Sequence, residues 1–148
     1  MNDQLMLAGT VPSEDISLVA GTAEINDQWL TVGDKKFSLN RGTAAMIGAA
    51  CAVASYFSAR PSFCVIGGDI GRQTGSRLVY HHIRKNIAGM QVSVLCLHYI
   101  VPDIGLHNQV LTALGRLDRT PCLIADAGFM YAAKASGRAD SYDLFCRT

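Results

Sequence analysis

The sequence predicts an α/β fold whose mainly parallel sheet carries helices on both faces. From Phe63 onward, short unbroken apolar runs alternate with segments of helical periodicity, which is typical of buried parallel strands joined by helices. Hydrophobic residues make up 49% and charged residues 17% of the 148 residues, so the chain can bury the core that such a sheet needs.

The first 41 residues predict a small β-rich N-terminal addition. Turn-forming Asn26-Asp27 and Gly33-Asp34 separate three short runs of strand character. We expect an antiparallel meander with strands at Thr22–Ile25, Trp29–Val32 and Lys36–Leu39.

Residues 42–148 predict the α/β layer domain. It opens with an Ala-rich helix from Thr43, the expected N-cap, to about Ser58; this helix is apolar nearly all round and is expected to be buried. Tyr142–Thr148 is expected to begin a further strand that is cut short, so the domain is predicted to be incomplete at its C-terminus. The other expected strands are Phe63–Ile66, Val92–Leu97 and Cys122–Ala125, and the other expected helices are Gly75–Asn86, Leu106–Leu117 and Phe129–Ser136.

Composition narrows the classes of function. A net charge of +1 argues against an electrostatic nucleic-acid binder, and the longest apolar stretch, Ala44–Phe57, is too short to span a bilayer. No signal pattern precedes Leu18. The five cysteines lack C-x-x-C spacing, which favours buried free thiols in a reducing cytosol. We therefore expect a cytoplasmic protein whose partner is a small molecule or another protein.

A glycine-rich turn follows the predicted strand Phe63–Ile66. Glycines let backbone N–H groups approach an anion, and the N-terminus of the next helix adds positive potential, so the turn favours contact with a phosphorylated or polar ligand. The spacing fits neither the dinucleotide fingerprint nor the P-loop. The alternative is a purely structural connection with Asp69 or Thr74 as helix N-cap. The candidate residues in this turn are Gly67, Gly68, Asp69, Gly71, Gly75 and Ser76.

Polar side chains also follow the predicted strand Val92–Leu97, at an edge of the sheet where ligands commonly bind. Asp103, His107 and Asn108 suit contact with a polar substrate, and capping of the next helix is the alternative for Asp103. A metal site is not expected, because no pair of histidines at i and i+4 on a helix supports one.

Asp126 follows the last complete predicted strand, and Ala127-Gly128 leave room for a ligand beside it. Its carboxylate can orient a sugar hydroxyl, bind a metal-bound phosphate or act as a base. Capping of the helix that starts near Phe129 is the alternative. Asp126 and Gly128 complete the candidate substrate-binding residues, and no catalytic residue is assigned.

The segment Pro121–Met130 resembles the strand-Asp-Ala-Asp/Gly turn of the ribokinase-like superfamily, especially its NAD(P)H-hydrate dehydratase branch. The segment Arg60–Arg84 is similar to the glycine-rich turn and helix that open the sheet in that branch. The resemblance covers roughly Pro61–Tyr142. It implies a ribokinase-like fold, ATP or ADP with Mg as cofactor, and the chemistry of a hydro-lyase or a sugar or small-molecule kinase.

Members of that superfamily carry their catalytic Asp in a later G-[ST]-G-D motif, and this chain reaches Thr148 without one. It also lacks the T-P-H-P-G-E-like segment of the dehydratase branch. Gly67-Gly68-Asp69 imitates the later motif but follows an early strand, so Asp69 is not assigned as the base. The resemblance thus implies a truncated, substrate-side half of such an enzyme, inactive alone, with a phosphorylated or nucleotide-like ligand.

Two hypotheses from other classes stay open. The chain could be a non-catalytic nucleotide-binding or regulatory module, for which the glycine-rich turn would suffice. It could instead be an interaction protein that self-associates through an open sheet edge, and we expect a homo-oligomer because unpaired apolar edges attract further strands.

Overall fold

A computed structural model describes residues 4–146 of the chain. Short 3₁₀ helices at Ile87–Gly89 and Ala139–Ser141 accompany the main elements. Within the described residues the strands are β1 (Gln4–Val11), β2 (Leu18–Asn26), β3 (Trp29–Val32), β4 (Lys35–Ser38), β5 (Phe63–Gly68), β6 (Val92–His98), β7 (Cys122–Asp126) and β8 (Leu144–Cys146). The α-helices are α1 (Gly42–Tyr56), α2 (Thr74–Asn86), α3 (Ile104–Leu114) and α4 (Phe129–Ala135).

All the strands join one mixed sheet in the order β4-β3-β2-β5-β1-β6-β7-β8. β1 and β5 to β8 run parallel, whereas β2, β3 and β4 form an antiparallel meander that continues the sheet beyond β5. The predicted α/β class with a mainly parallel sheet is confirmed. The strand β1 is an addition to the predicted elements, and it lies in the middle of the sheet.

Each face of the sheet has its own core. Alternate residues of a strand point to opposite faces, so Met6 and Ala8 of β1 pack on one side and Leu7 on the other. The side of Met6 is covered by α2, α3 and α4, with Tyr80 and Phe129 fully buried. The side of Leu7 is covered by α1. Helices therefore lie on both faces, as the apolar runs predict.

The N-cap prediction for α1 is wrong. The N-cap is Arg41, and its side chain makes no capping hydrogen bond. Thr43 instead lies inside the first turn, almost fully buried, with its hydroxyl 2.9 Å from Nδ1 of His98. Gly42 precedes it with a φ of +65°, a conformation that glycine adopts without steric cost. The turn thereby directs Thr43 toward the sheet.

The five cysteines are free thiols, as predicted, but they are not all buried. Cys64 and Cys96 are buried, Cys51 and Cys146 are half-buried, and Cys122 is exposed. Burial raises the pKa of the Cys64 thiol to about 12, with a smaller contribution from Cys51. In the part of the chain from residue 4 to 146, no helix has the length and apolar character required to cross a membrane.

Candidate ligand-binding crevice

The parallel strands place a crevice beside β1 and β6. The parallel strands lie in the sheet in the order β5-β1-β6-β7-β8. The strand β1, which comes first in the sequence, therefore lies between β5 and β6. Connections diverge to opposite sides at such a point, and the gap beyond the carboxyl ends of the strands is the usual ligand site of doubly wound sheets.

A cavity of about 370 Å³ occupies this position, and we call it the switch-point crevice. A smaller cavity of about 220 Å³ adjoins it on the side of β5, where Ser13, Glu14, Ile16 and Arg72 are among its walls. Asp69 lines both cavities. The switch-point crevice is lined by Thr10, Val11, Pro12, Arg41, Gly42, Thr43, Asp69 and Tyr99.

The Asp69 carboxylate is held by hydrogen bonds from its own loop and from the first turn of α2. One oxygen accepts from the backbone N–H of Gly71 at 2.8 Å and of Gln73 at 3.1 Å. The other accepts from the N–H and the hydroxyl of Ser76 at 2.9 and 2.7 Å. Burial by itself would raise the pKa of Asp69, but these bonds outweigh it and lower the pKa. Asp69 is therefore ionised, and its carboxylate fixes the loop before α2 to the first turn of that helix.

The glycines of this turn serve close packing of the backbone. A Cβ atom on Gly67 would lie 2.5 Å from the carbonyl oxygen of Gly75, and one on Gly68 would lie 2.0 Å from the carbonyl oxygen of Ile16. Gly71 differs, because its φ is +96° and no atom lies within 4 Å of a Cβ built there. Of the predicted glycines in this turn, Gly71 therefore faces open space, Gly67 and Gly75 allow α2 to pack closely against β5, and Gly68 allows the loop between β1 and β2 to pack against β5.

Ser76 and Asp103 both have structural partners. Besides donating to Asp69, the Ser76 hydroxyl accepts a hydrogen bond from the N–H of Val101 at 3.0 Å. Asp103 is the N-cap of α3 and accepts from the N–H of Leu106 at 3.0 Å. Its other oxygen lies 3.4 Å from Arg77. The capping alternative for Asp103 is thus present in the structure.

His107 and Asn108 lie on α3 and face partners other than the crevice. His107 is 1% exposed, with Nε2 2.6 Å from the Tyr142 hydroxyl and Nδ1 2.8 Å from the Ser136 hydroxyl. Burial and then the charge of Arg138 lower the pKa of His107 to about 4. Asn108 accepts a hydrogen bond from Arg138 at 3.0 Å. These contacts tie α3 to the segment that follows α4.

Asp126 and Gly128 lie at the carboxyl end of β7, beside the end of β6. Asp126 Oδ2 is 3.9 Å from Nε2 of His98, its register partner in β6. A Cβ atom on Gly128 would lie 3.0 Å from the Tyr99 ring. Tyr99 also lines the switch-point crevice. Asp126 and Gly128 therefore do not line the cavity. Gly128 packs against the lining residue Tyr99, and Asp126 lies beside the preceding residue, His98.

Sequence reasoning missed Thr10, Arg41, Thr43 and Tyr99 as crevice residues. They come from three separate segments, and Thr10 and Tyr99 are joined by a hydrogen bond from the Thr10 hydroxyl to the Tyr99 carbonyl. No local motif marks them. The available signal was the turn Asn40-Arg41-Gly42 ahead of an apolar helix, which places a cation and a glycine at a helix N-terminus.

Comparison with known proteins finds a relative in Methanocaldococcus jannaschii that is described as an uncharacterised protein. It is 33% identical over 100 residues, which are 68% of this chain and 38% of the relative. The matched region thus spans well under half of the relative's length. No family model matches the chain, and neither does any solved structure.

Proposed function

We propose that this chain binds a phosphorylated or nucleotide-like small molecule in the switch-point crevice. The observation that carries the proposal is the convergence of Thr10, Arg41, Thr43 and Tyr99 at the carboxyl ends of β1 and β6. Ligands of doubly wound sheets bind at this position, and the cavity has the size of a small-molecule site.

Arg41 and the N-terminus of α1 favour an anionic group in the crevice, and the charge of Asp69, which also lines it, is offset by the four hydrogen bonds that its carboxylate accepts. Arg41 is exposed at the crevice and stands at the N-terminus of α1, a helix of 15 residues with no acidic residue in its first turn. The backbone N–H groups of that turn carry partial positive charge and receive no side-chain cap from Arg41. A phosphate group supplies acceptors for both. In the adjoining cavity Arg72 lies 3.5 Å from Glu14, so its charge is partly matched.

In this proposal the chain is the substrate-side half of a ribokinase-like enzyme, either an NAD(P)H-hydrate dehydratase or a sugar or small-molecule kinase. The strands β2 to β4 are then a β-rich addition to that fold. Asp69 is not the base, because its oxygens already accept four hydrogen bonds. A further segment would supply the base and hold the ATP or ADP phosphates with Mg.

Calorimetric titration with ribose, ribose 5-phosphate, AMP, ADP and ATP tests the binding. We expect the phosphorylated probes to bind and ribose to bind at least about tenfold more weakly, since one charge-assisted contact is worth a factor of this order. Arg41→Ala should lower the affinity for the phosphorylated probes by a similar factor. The matched control is Arg116→Ala, which removes an exposed arginine that follows α3.

Equal affinities of the two arginine variants, or no heat with any phosphorylated probe at millimolar concentration, would contradict the proposal. Turnover of a bound nucleotide would assign catalysis to the chain itself. Binding without turnover fits both the half-enzyme and a regulatory module. Adding the longer relative's remaining segment as a second polypeptide separates these two, because turnover should then appear only for the half-enzyme.

Self-association is a second candidate, favoured by the edge strand β8. Leu144 and Phe145 are 50% and 39% exposed, and within the described residues β8 pairs on one side with β7. An edge of this kind offers unpaired backbone groups to another strand. Sedimentation at micromolar concentration should then detect a dimer that Leu144→Lys dissociates. A monomer at all concentrations would exclude this candidate.

A further inference from the structure

Three polar side chains from three different elements meet behind the switch-point crevice. The Thr43 hydroxyl of α1 lies 2.9 Å from Nδ1 of His98 at the end of β6. Nε2 of the same ring lies 3.9 Å from Oδ2 of Asp126 at the end of β7. The side chains of His98 and Asp126 are 7% and 18% exposed. Thr43 also lines the crevice, so the row leads from the cavity into the protein.

The surroundings of His98 determine which ring nitrogen carries the proton. Burial lowers the pKa of His98, and the Asp126 charge opposes this only in part, so the ring is neutral near pH 7. A carboxylate attracts the N–H, and Asp126 faces Nε2. Nδ1 is then the acceptor, and the Thr43 hydroxyl donates to it. The lone pairs of the Thr43 oxygen are left to accept a hydrogen bond from the crevice.

The backbone around this row is shaped to bring the three groups together. A Cβ atom on Gly9 would lie 2.8 Å from the Thr43 hydroxyl oxygen and 2.3 Å from the His98 carbonyl oxygen. Tyr99, whose ring packs edge-on against His98 at a centroid distance of 4.2 Å, has a φ of +44°. A positive φ is unfavourable for a bulky residue, and residues held in this way are concentrated at functional sites.

We infer that Thr43, His98 and Asp126 form a hydrogen-bond relay that holds a ligand hydroxyl at the base of the switch-point crevice. The inference rests on the proposed function. The ligand O–H donates to the Thr43 oxygen, the Thr43 O–H donates to Nδ1 of His98, and the Nε2–H of the ring faces Asp126. The relay orients the ligand oxygen and transfers no proton, so the base is left to the further segment. Thr43 would touch the ligand, and His98 and Asp126 are positioning residues.

Other titratable groups near the relay are thiols next to Asp126. Burial, with smaller contributions from Asp126 and Cys146, raises the pKa of Cys96 to about 12. Burial and the charge of Asp126 also raise the pKa of Cys146, the residue of β8 that pairs with Asp126 of β7. Both thiols are therefore neutral near pH 7. Asp126 is the charge that acts on His98.

Imidazole ¹⁵N NMR on the unliganded chain tests the first half of the relay. We expect the neutral tautomer with the proton on Nε2 of His98. Asp126→Asn should lower the pKa of His98 further, because it removes the charge that opposes burial. The matched control, Asp118→Asn on the exposed loop before β7, should leave the His98 titration unchanged. A wild-type ring protonated on Nδ1 would overturn the relay.

Titration with ribose 5-phosphate tests the second half. We expect it to shift the Nδ1 resonance of His98 in the wild type and in Thr43→Ser, which keeps the hydroxyl, but not in Thr43→Val. An equal Nδ1 shift in Thr43→Val would overturn the relay, provided that a melting curve shows the variant folded; otherwise the wild type and Thr43→Ser decide. If ribose 5-phosphate does not bind, the proposed function loses support, and the tautomer measurement still decides the arrangement of the three side chains.

Discussion

Gly67 at the end of β5 and Gly75 in the first turn of α2 are in backbone contact. A Cβ atom on Gly67 would lie 2.5 Å from the Gly75 carbonyl oxygen, and one on Gly75 would lie 2.2 Å from the Gly68 carbonyl oxygen. Because helix and strand approach closely at this point, α2 also packs against β1, on the face of the sheet that bears Met6. The two glycines thus position the loop that holds Asp69 against the crevice.

Gly67→Ala and Gly75→Ala should each lower the free energy of unfolding by more than about 2 kcal/mol, because a methyl group meets backbone atoms that have little room to move. Urea denaturation measures this. Gly89→Ala is the control, since no atom lies within 4 Å of a Cβ at that site. Similar midpoints for all three variants would contradict the close contact.

Gly71→Ala should destabilise the chain by about 1 kcal/mol through the backbone alone, since its φ of +96° is unfavourable for alanine and space is open around it. Gly89→Ala again serves as control, because it has the same open space without a positive φ. If the proposed ligand contacts this turn, Gly71→Ala should also lower the affinity for ribose 5-phosphate measured by calorimetry. Unchanged affinity would leave Gly71 a structural residue.

The alternating part of the fold could be predicted from the sequence, because each buried strand there is a short, mostly apolar run next to a segment of helical periodicity. Phe63–Gly68 and Val92–His98 begin at the predicted residues and extend by one or two polar or glycine residues. The strand β1 was not predicted, although its apolar run Leu5–Ala8 is as long as Phe63–Ile66, because the alternation of strands with helices that identifies the others begins only at Phe63. Gly9 is there because the His98 carbonyl and Thr43 leave no room for a side chain.

The candidate site was predictable only in outline. Strand ends and glycines locate Asp69 and Asp126 at the carboxyl edge, but their roles depend on partners elsewhere in the chain. Thr43 and His98 are 55 residues apart in sequence and 2.9 Å apart in space. His107 matches the pattern of a substrate-binding residue equally well, yet it lies in the core between Ser136 and Tyr142. These cases are separated by partners from distant parts of the chain, which a local sequence pattern does not contain.

Tyr142→Phe should cost about 1–3 kcal/mol of stability, because it removes the hydroxyl that lies 2.6 Å from Nε2 of His107 and leaves a buried polar atom without its partner. Tyr131→Phe removes a hydroxyl from a residue that is 72% exposed and should stay within about 0.5 kcal/mol of wild type. Chemical denaturation at pH 7 compares the two. Equal stability of both variants would mean that the His107–Tyr142 hydrogen bond adds little.

The stability of the chain should fall as the pH drops from about 6.5 to about 4 through the titration of His107. Burial lowers its pKa from 6.5 to about 4 in the folded chain, so in this window the unfolded chain binds a proton that the folded chain does not. The contribution is fully present above pH 6.5, and up to about 3 kcal/mol is lost on reaching pH 4. Denaturation curves of wild type and His107→Gln should therefore converge as the solution is acidified. Imidazole NMR gives an independent check, because it reads the ring itself. A His107 resonance that titrates near pH 6.5, or stability curves that stay parallel, would show that the ring is not held neutral by burial in the core.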